Sequence, residues 1–192
     1  MNRQSRTPEH FERLYRDSLD PWNFETSPYE EQKYQATLAA LGDRRFSSAL
    51  EVGCSIGVLT RRLAGRCDQL TGVDFVATAV AKARARCASL PGVSIQQMQV
   101  PQQWPEGRFD LILFSEVLYF LDEDDLREIC GHTLHSLLPG GLVLLVNYTG
   151  VTDDPNSGDD AASIFIQASS PELRPIMQSR EAHYRLDLLS HC

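Results

Sequence analysis

The chain has 192 residues, of which 42% are hydrophobic and 23% charged, with a net charge of −8. That length suits one α/β domain with a sizeable core and is short for two. The acidic balance, with no basic stripe, excludes nucleic acid and anionic lipid as expected partners, and no apolar run approaches the length of a membrane span.

The cysteines are Cys54, Cys67, Cys87, Cys130 and Cys192. Their odd number and the lack of a C-x-x-C pair read as a reduced set, not a disulfide framework or zinc site. Residues 1–12 are polar and hold no apolar core of a signal peptide, so the expected location is cytoplasmic.

In chain order, residues 1–6 are polar and expected to fray. Thr7-Pro8 is an N-cap followed by proline at the first helical position, and Phe11, Leu14, Tyr15 and Leu19 give the helix an apolar face. Asp20-Pro21-Trp22-Asn23-Phe24 breaks it. Ser27 with Glu30 is a capping box for a helix to about Leu41, ended by Gly42. From residue 48 strand and helix alternate. Strands are expected at 48–53, 69–73, 93–97 and 109–114. Helices are expected at 57–65 and from Val76, the second on the face Val76, Ala79, Val80, Ala83 and Cys87. The apolar run Phe109–Phe114 reads as a strand buried on both faces. A helix follows from the acids 122–125, with Leu126, Ile129, Cys130, Leu134, Leu137 and Leu138 inward. Pro139-Gly140-Gly141 stops it, and Leu142–Val146 is the fifth strand. Residues 150–160 form an exposed loop, a helix covers 160–169, and 173–180 with 183–189 make a closing hairpin. The fold class is therefore α/β: a doubly wound, Rossmann-like sheet of about seven strands with an antiparallel edge element. It forms one domain, with residues 1–45 as a helical cap over the site and 46–192 as the core.

In such sheets ligands bind beyond the carboxyl ends of the strands. The first of these ends reads Ala49-Leu50-Glu51-Val52-Gly53-Cys54-Ser55-Ile56-Gly57, a strand breaking into a small-residue turn that opens a helix. The second strand ends on Asp74, 17 residues past Gly57, where a βαβ nucleotide fold puts its ribose-binding carboxylate. The dinucleotide pattern G-x-G-x-x-G fails at Ser55 and Val58, and no Gly-Lys-Ser/Thr of a P-loop is present. Cys54 lacks a His or Asp neighbour in sequence, so a small residue packed under the turn is its expected role, with nucleophile as the alternative.

The pattern E-x-G-x-G-x-G, with Ser55 at the middle glycine, resembles motif I of the class I S-adenosylmethionine (SAM) methyltransferases. Asp20-Pro21-Trp22, Ser27-Pro28-Tyr29-Glu30, Lys33-Tyr34, Ser115-Glu116-Val117-Leu118-Tyr119-Phe120-Leu121 and Tyr184-Arg185-Leu186-Asp187-Leu188-Leu189 narrow the resemblance to the NodS-like nodulation N-methyltransferases. The resemblance implies SAM as cofactor and S-adenosylhomocysteine (SAH) as product. It implies that Glu51 shapes the site floor and that Gly53, Cys54, Ser55 and Gly57 pass under the amino-acid half of SAM. Asp74 would then accept the ribose hydroxyls, with Phe75, Gln99 and Val100 at the adenine. Gln99 departs from the aspartate many members carry, though its carbonyl can accept the same bond. Glu116 and Val117 would border the transferred methyl, with Glu116 and Tyr119 as catalytic candidates toward an amine. For those two, packing or cofactor contact alone is the alternative. Lys33 would reach the SAM carboxylate or else be solvated. Trp22 would be a lid over the cofactor or a staple for the N-terminal helices. The implied partner is a small-molecule acceptor, an amino sugar or oligosaccharide of chitooligosaccharide type. An O-methyltransferase of a small metabolite and a non-catalytic SAM-binding protein are the alternatives. His132 and His135 have no third ligand nearby in sequence, so no metal is expected.

Overall fold

The structure is a computed structural model and describes residues 4–192. It divides into two compact units, Thr7–Met98 and the remainder of the chain. Six α-helices and seven strands are present among the described residues.

In the first unit, β1 (Phe46–Val52), β2 (Cys67–Asp74) and β3 (Val93–Gln97) are parallel in the order β3-β2-β1. The crossovers carry α3 (Val58–Leu63) and α4 (Ala77–Cys87), since parallel strands cannot be joined by a tight turn. α4 buries Ala79, Val80, Ala83 and Cys87, the face read from its period, with Val76 at its N-cap also buried. Ahead of the strands lie α1 (Pro8–Asp17) and α2 (Pro28–Ala40). α1 buries Phe11 and Tyr15, but Thr7 makes no side-chain cap and Leu19 is exposed, not inward. The helix ends at Asp17 and Ser18 is extended, so Leu19 leaves the helical face. Ser27 does cap α2, accepting the Glu30 N–H at 3.4 Å. Glu31 of α2 grips Arg62 of α3 through both oxygens, which ties the leading helices to the βαβ frame.

The second unit holds β4 (Phe109–Ser115), β5 (Leu137–Tyr148), β6 (Leu173–Arg180) and β7 (Tyr184–His191) in the order β4-β5-β7-β6. β4 and β5 are parallel, and β7 runs antiparallel to both neighbours. α5 (Glu123–Ser136) is capped by Asp122, whose side chain accepts the Asp124 and Asp125 amides. α6 (Gly158–Ala168) is capped by Ser157, and Phe165 of α6 meets Phe114 of β4 at 5.4 Å.

Three expectations are corrected here. Leu137 and Leu138 belong to β5 and not to the preceding helix, and Pro139-Gly140-Gly141 is not a stop before the strand. Leu137 pairs with Phe109 and Leu142 with Leu111, so the residues between bulge from one strand. Proline lacks an amide for the ladder and Gly140 takes φ +71°, which suits a bulge. A 3-10 turn, Leu118–Phe120, precedes α5 where no element was foreseen. Finally, of the segment expected to fray, residues 1–3 lie outside the described residues, while Ser5 and Arg6 are tied. The Ser5 hydroxyl donates to Asp125 and accepts the Asp122 N–H, and Arg6 pairs with Asp154 at 2.8 Å. No helix among the described residues is long and apolar enough to cross a membrane.

Candidate cofactor and acceptor sites

The first unit holds the glycine turn. Gly53 and Cys54 both donate their amides to Val73 O, at 2.9 and 3.1 Å, which folds the end of β1 onto β2. Gly53, Ser55 and Gly57 take φ of +85°, +46° and +80°. Glycine adopts these without cost, but Ser55 does so against its own Cβ. A Cβ at Gly57 would lie 3.0 Å from the Cα and Cβ of Ala83, so helix packing as well as φ selects glycine there. Cys54 turns its side chain inward among Val80, Ala83, Cys87 and Ile95, and burial pushes its thiol pKa well up. That is an inert packing position.

Asp74 holds the turn. Its Oδ2 accepts the Ser55 N–H at 3.0 Å and its Oδ1 the Val76 N–H at 2.9 Å. Burial raises its pKa, and the amides of Val76, Ser55 and Phe75 pull it back. Each oxygen keeps a lone pair beyond its one bond, so the carboxylate can still accept a diol. Glu51 lies on β1, 1% exposed, with burial first and Asp74 further down raising its pKa to about 7. The Thr60 hydroxyl lies near enough to draw that value back. Even so, neither Glu51 oxygen nor Thr60 Oγ1 makes a hydrogen bond of ordinary geometry.

The leading helices meet this turn within the same unit. The Tyr15 and Ser55 hydroxyls are hydrogen-bonded, and burial, with the Asp74 charge, keeps Tyr15 protonated. Phe11 stands edge-on to Phe75 at 5.1 Å. Trp22, 38% exposed, contacts Phe11, Tyr15 and Phe24 at 6.5, 5.7 and 5.5 Å. Asp20 pins that loop by accepting the Phe24 and Glu25 amides. Lys33 is not solvated: it is 4% exposed, 3.0 Å from Glu30 Oε1 and 4.9 Å from the Tyr29 ring centroid. Tyr15 and Phe11 were read only as a packing face. Their i, i+4 spacing put both on one side of α1, but nothing in the sequence linked that side to Ser55 and Phe75.

The second unit holds Gln99, Val100, Glu116, Val117 and Tyr119. Gln99 is exposed and its amide donates to Gln103 Oε1 at 2.9 Å, while Val100 is half-buried. Glu116 follows β4 at φ +59°, a second strained non-glycine residue at a strand end. Its N–H donates to Val146 O at 3.0 Å and its Oε2 accepts the Tyr148 N–H at 2.7 Å. Val117 leads into the 3-10 turn, where Tyr119 is 8% exposed, its ring 4.3 Å from Phe120. His132 stacks on Trp104 at 5.4 Å.

A sequence profile of the Nodulation protein S (NodS) family matches residues 7–142. Nodulation protein S of Rhizobium tropici is 36% identical over 140 residues, 71% of this chain and 59% of that protein. The chain thus spans about half to three-fifths of the length of the curated NodS relatives it matches. Solved structures share the fold, two of them as follows. N-methyltransferase NodS from Bradyrhizobium japonicum WM9, in complex with SAH, superposes with a TM-score of 0.80 at 23% identity, covering 95% of this chain and 97% of that one. A putative methyltransferase from Pseudomonas syringae gives 0.74 at 35% identity, covering 85% and 99%. With the profile spanning well over half the chain, the protein belongs to the NodS family and carries the α/β fold of the SAM-dependent methyltransferases.

Proposed function

We propose that this chain is a SAM-dependent N-methyltransferase acting on the free amine of a small acceptor of the amino-sugar class. The observation that carries this reading is Asp74 bonded to the Ser55 amide within the turn Gly53–Gly57, in a member of the NodS family. The donor set fits the cofactor. Asp74 offers spare lone pairs to the ribose hydroxyls, and the orphaned, buried Glu51 carboxylate suits a cationic ligand. Gly53, Cys54, Ser55 and Gly57 would hold the amino-acid half by their backbone. Lys33 would meet its carboxylate. Phe75, Gln99 and Val100 would meet the adenine, and Trp22 would shield the site from water.

When bound, SAM supplies a methyl group already activated by the sulfonium, so the protein's task is to position a nucleophile and exclude water. A neutral amine nitrogen would take that methyl, leaving SAH as the other product, and would have one proton to shed. Glu116 would accept that proton or orient the amine, Tyr119 would hydrogen-bond it, and Val117 would border the methyl. Calorimetric titration with SAH, with NAD as control, tests the cofactor. Mass spectrometry after incubation with SAM and a glucosamine tetramer tests the acceptor. Saturable SAH binding and a gain of one methyl on nitrogen are expected. Binding of NAD but not SAH would overturn the reading, and so would methylation on oxygen.

A further inference from the structure

Asn147 sits at the end of β5 with no exposure, and neither its Nδ2 nor its Oδ1 has a hydrogen-bond partner. Thr149, one residue past the end of β5, buries an equally unpartnered Oγ1. Buried polar groups are almost always satisfied, and leaving one unpaired is costly. The neighbours do not meet the need. Arg185, which pairs with Asn147 across β7, is spent on Asp187 at 2.6 and 2.8 Å and on Asp159 at 3.2 Å. On another side a Cβ at Gly158, the first residue of α6, would lie 3.1 Å from Asn147 Cβ. Between the two orphaned residues, the Tyr148 amide holds the Glu116 carboxylate.

We infer that Asn147 and Thr149 are specificity-determining residues that receive the polar, uncharged body of the methyl acceptor: hydroxyl or amide groups beside the reacting amine. The inference rests on the reading of Glu116 given above. A primary amide offers one acceptor and two donors, and a threonine hydroxyl one of each role, which matches hydroxyls and N-acyl groups. With Arg185 held by Asp187 and Asp159, Asn147 and Thr149 themselves offer no charge to a carboxylate or phosphate. The connection that begins at Thr149 is tied at both ends by backbone bonds, Thr149 N–H to His183 O and Asn156 N–H to Tyr119 O, and by Arg6 to Asp154 and Asn156 Nδ2 to Leu121 O.

The test uses Asn147→Leu and Thr149→Val. SAH-saturated protein is titrated with an N-acetylated chitotetraose and with a glucosamine tetramer, and the thermal midpoint of the ligand-free protein is read alongside. Saccharide affinity is expected to fall by about tenfold for each hydrogen bond removed, with SAH affinity held and the midpoint unchanged or raised. Unchanged saccharide affinity, or a lowered midpoint in both variants with affinity retained, would overturn the inference, since the groups would then be satisfied internally. Absence of saccharide binding by the wild type would overturn it too. Wild-type binding without transfer to the glucosamine tetramer would instead sink the amine reading and leave the roles of Asn147 and Thr149 standing.

Discussion

Asp74 Oδ2 accepts the backbone N–H of Ser55 at 3.0 Å, joining the end of β2 to the one non-glycine φ>0 position of the glycine turn. The same carboxylate is the proposed ribose ligand, so it both shapes the turn and binds. Asp74→Ala is expected to weaken SAH binding by about 1.5–3 kcal/mol per charged hydrogen bond lost. Asp74→Asn keeps one accepting oxygen and should lose less. Calorimetric titration of both variants decides it, and wild-type affinity in Asp74→Ala would remove Asp74 from the site.

At Ser55 two effects oppose. Glycine would relieve the φ of +46° but forfeit the hydroxyl that meets Tyr15. Ser55→Gly should therefore leave stability within about 1 kcal/mol of wild type, because strain relief and a lost hydrogen bond are of similar size. Ser55→Val loses the bond and worsens the strain, and should cost about 2–4 kcal/mol. Urea melts of the two variants separate these outcomes.

Glu51 makes stability depend on pH in an unusual direction. Its folded pKa is raised from 4.5 to about 7, so between those values the unfolded chain has lost a proton that the folded chain keeps. Stability from this group therefore falls as pH rises from about 4.5 and levels off above about 7, by roughly 3 kcal/mol in all. Glu51→Gln cannot ionise and should lose that slope, becoming more stable than wild type at pH 8 and similar at pH 4.5. Thermal melts across pH 4.5–8 read it, and parallel profiles for the two proteins would contradict it.

Lys33 and Glu30 form a buried pair on α2. Lys33→Met takes the ammonium from Glu30 Oε1 and should cost about 3–5 kcal/mol, whereas Glu30→Gln/Lys33→Met should recover much of that loss. If Lys33 also holds the SAM carboxylate, the double variant regains stability without regaining SAH affinity. Denaturant midpoints and SAH titrations on the same samples separate the two roles.

Most of the strand–helix order was legible from residue 48 onward. Apolar runs bounded by Gly and Pro, and the period of α4, are local signals that tertiary packing did not override. The edge hairpin at 173–180 and 184–191 was legible for the same reason. Pro139-Gly140-Gly141 misled, because the same residues that stop a helix also make a bulge, and only pairing with β4 decides between them.

The sequence by itself determined the fold class, the glycine turn with Asp74 beyond it, and membership of the NodS family, since each rests on residue types at fixed spacing. The tertiary structure alone decided which groups meet. It placed Tyr15 on Ser55 and Phe11 on Phe75, buried Lys33 against Glu30, and left Glu51, Asn147 and Thr149 without partners. Those outcomes depend on desolvation and on contacts between residues far apart in the chain, and neither is encoded in local periodicity.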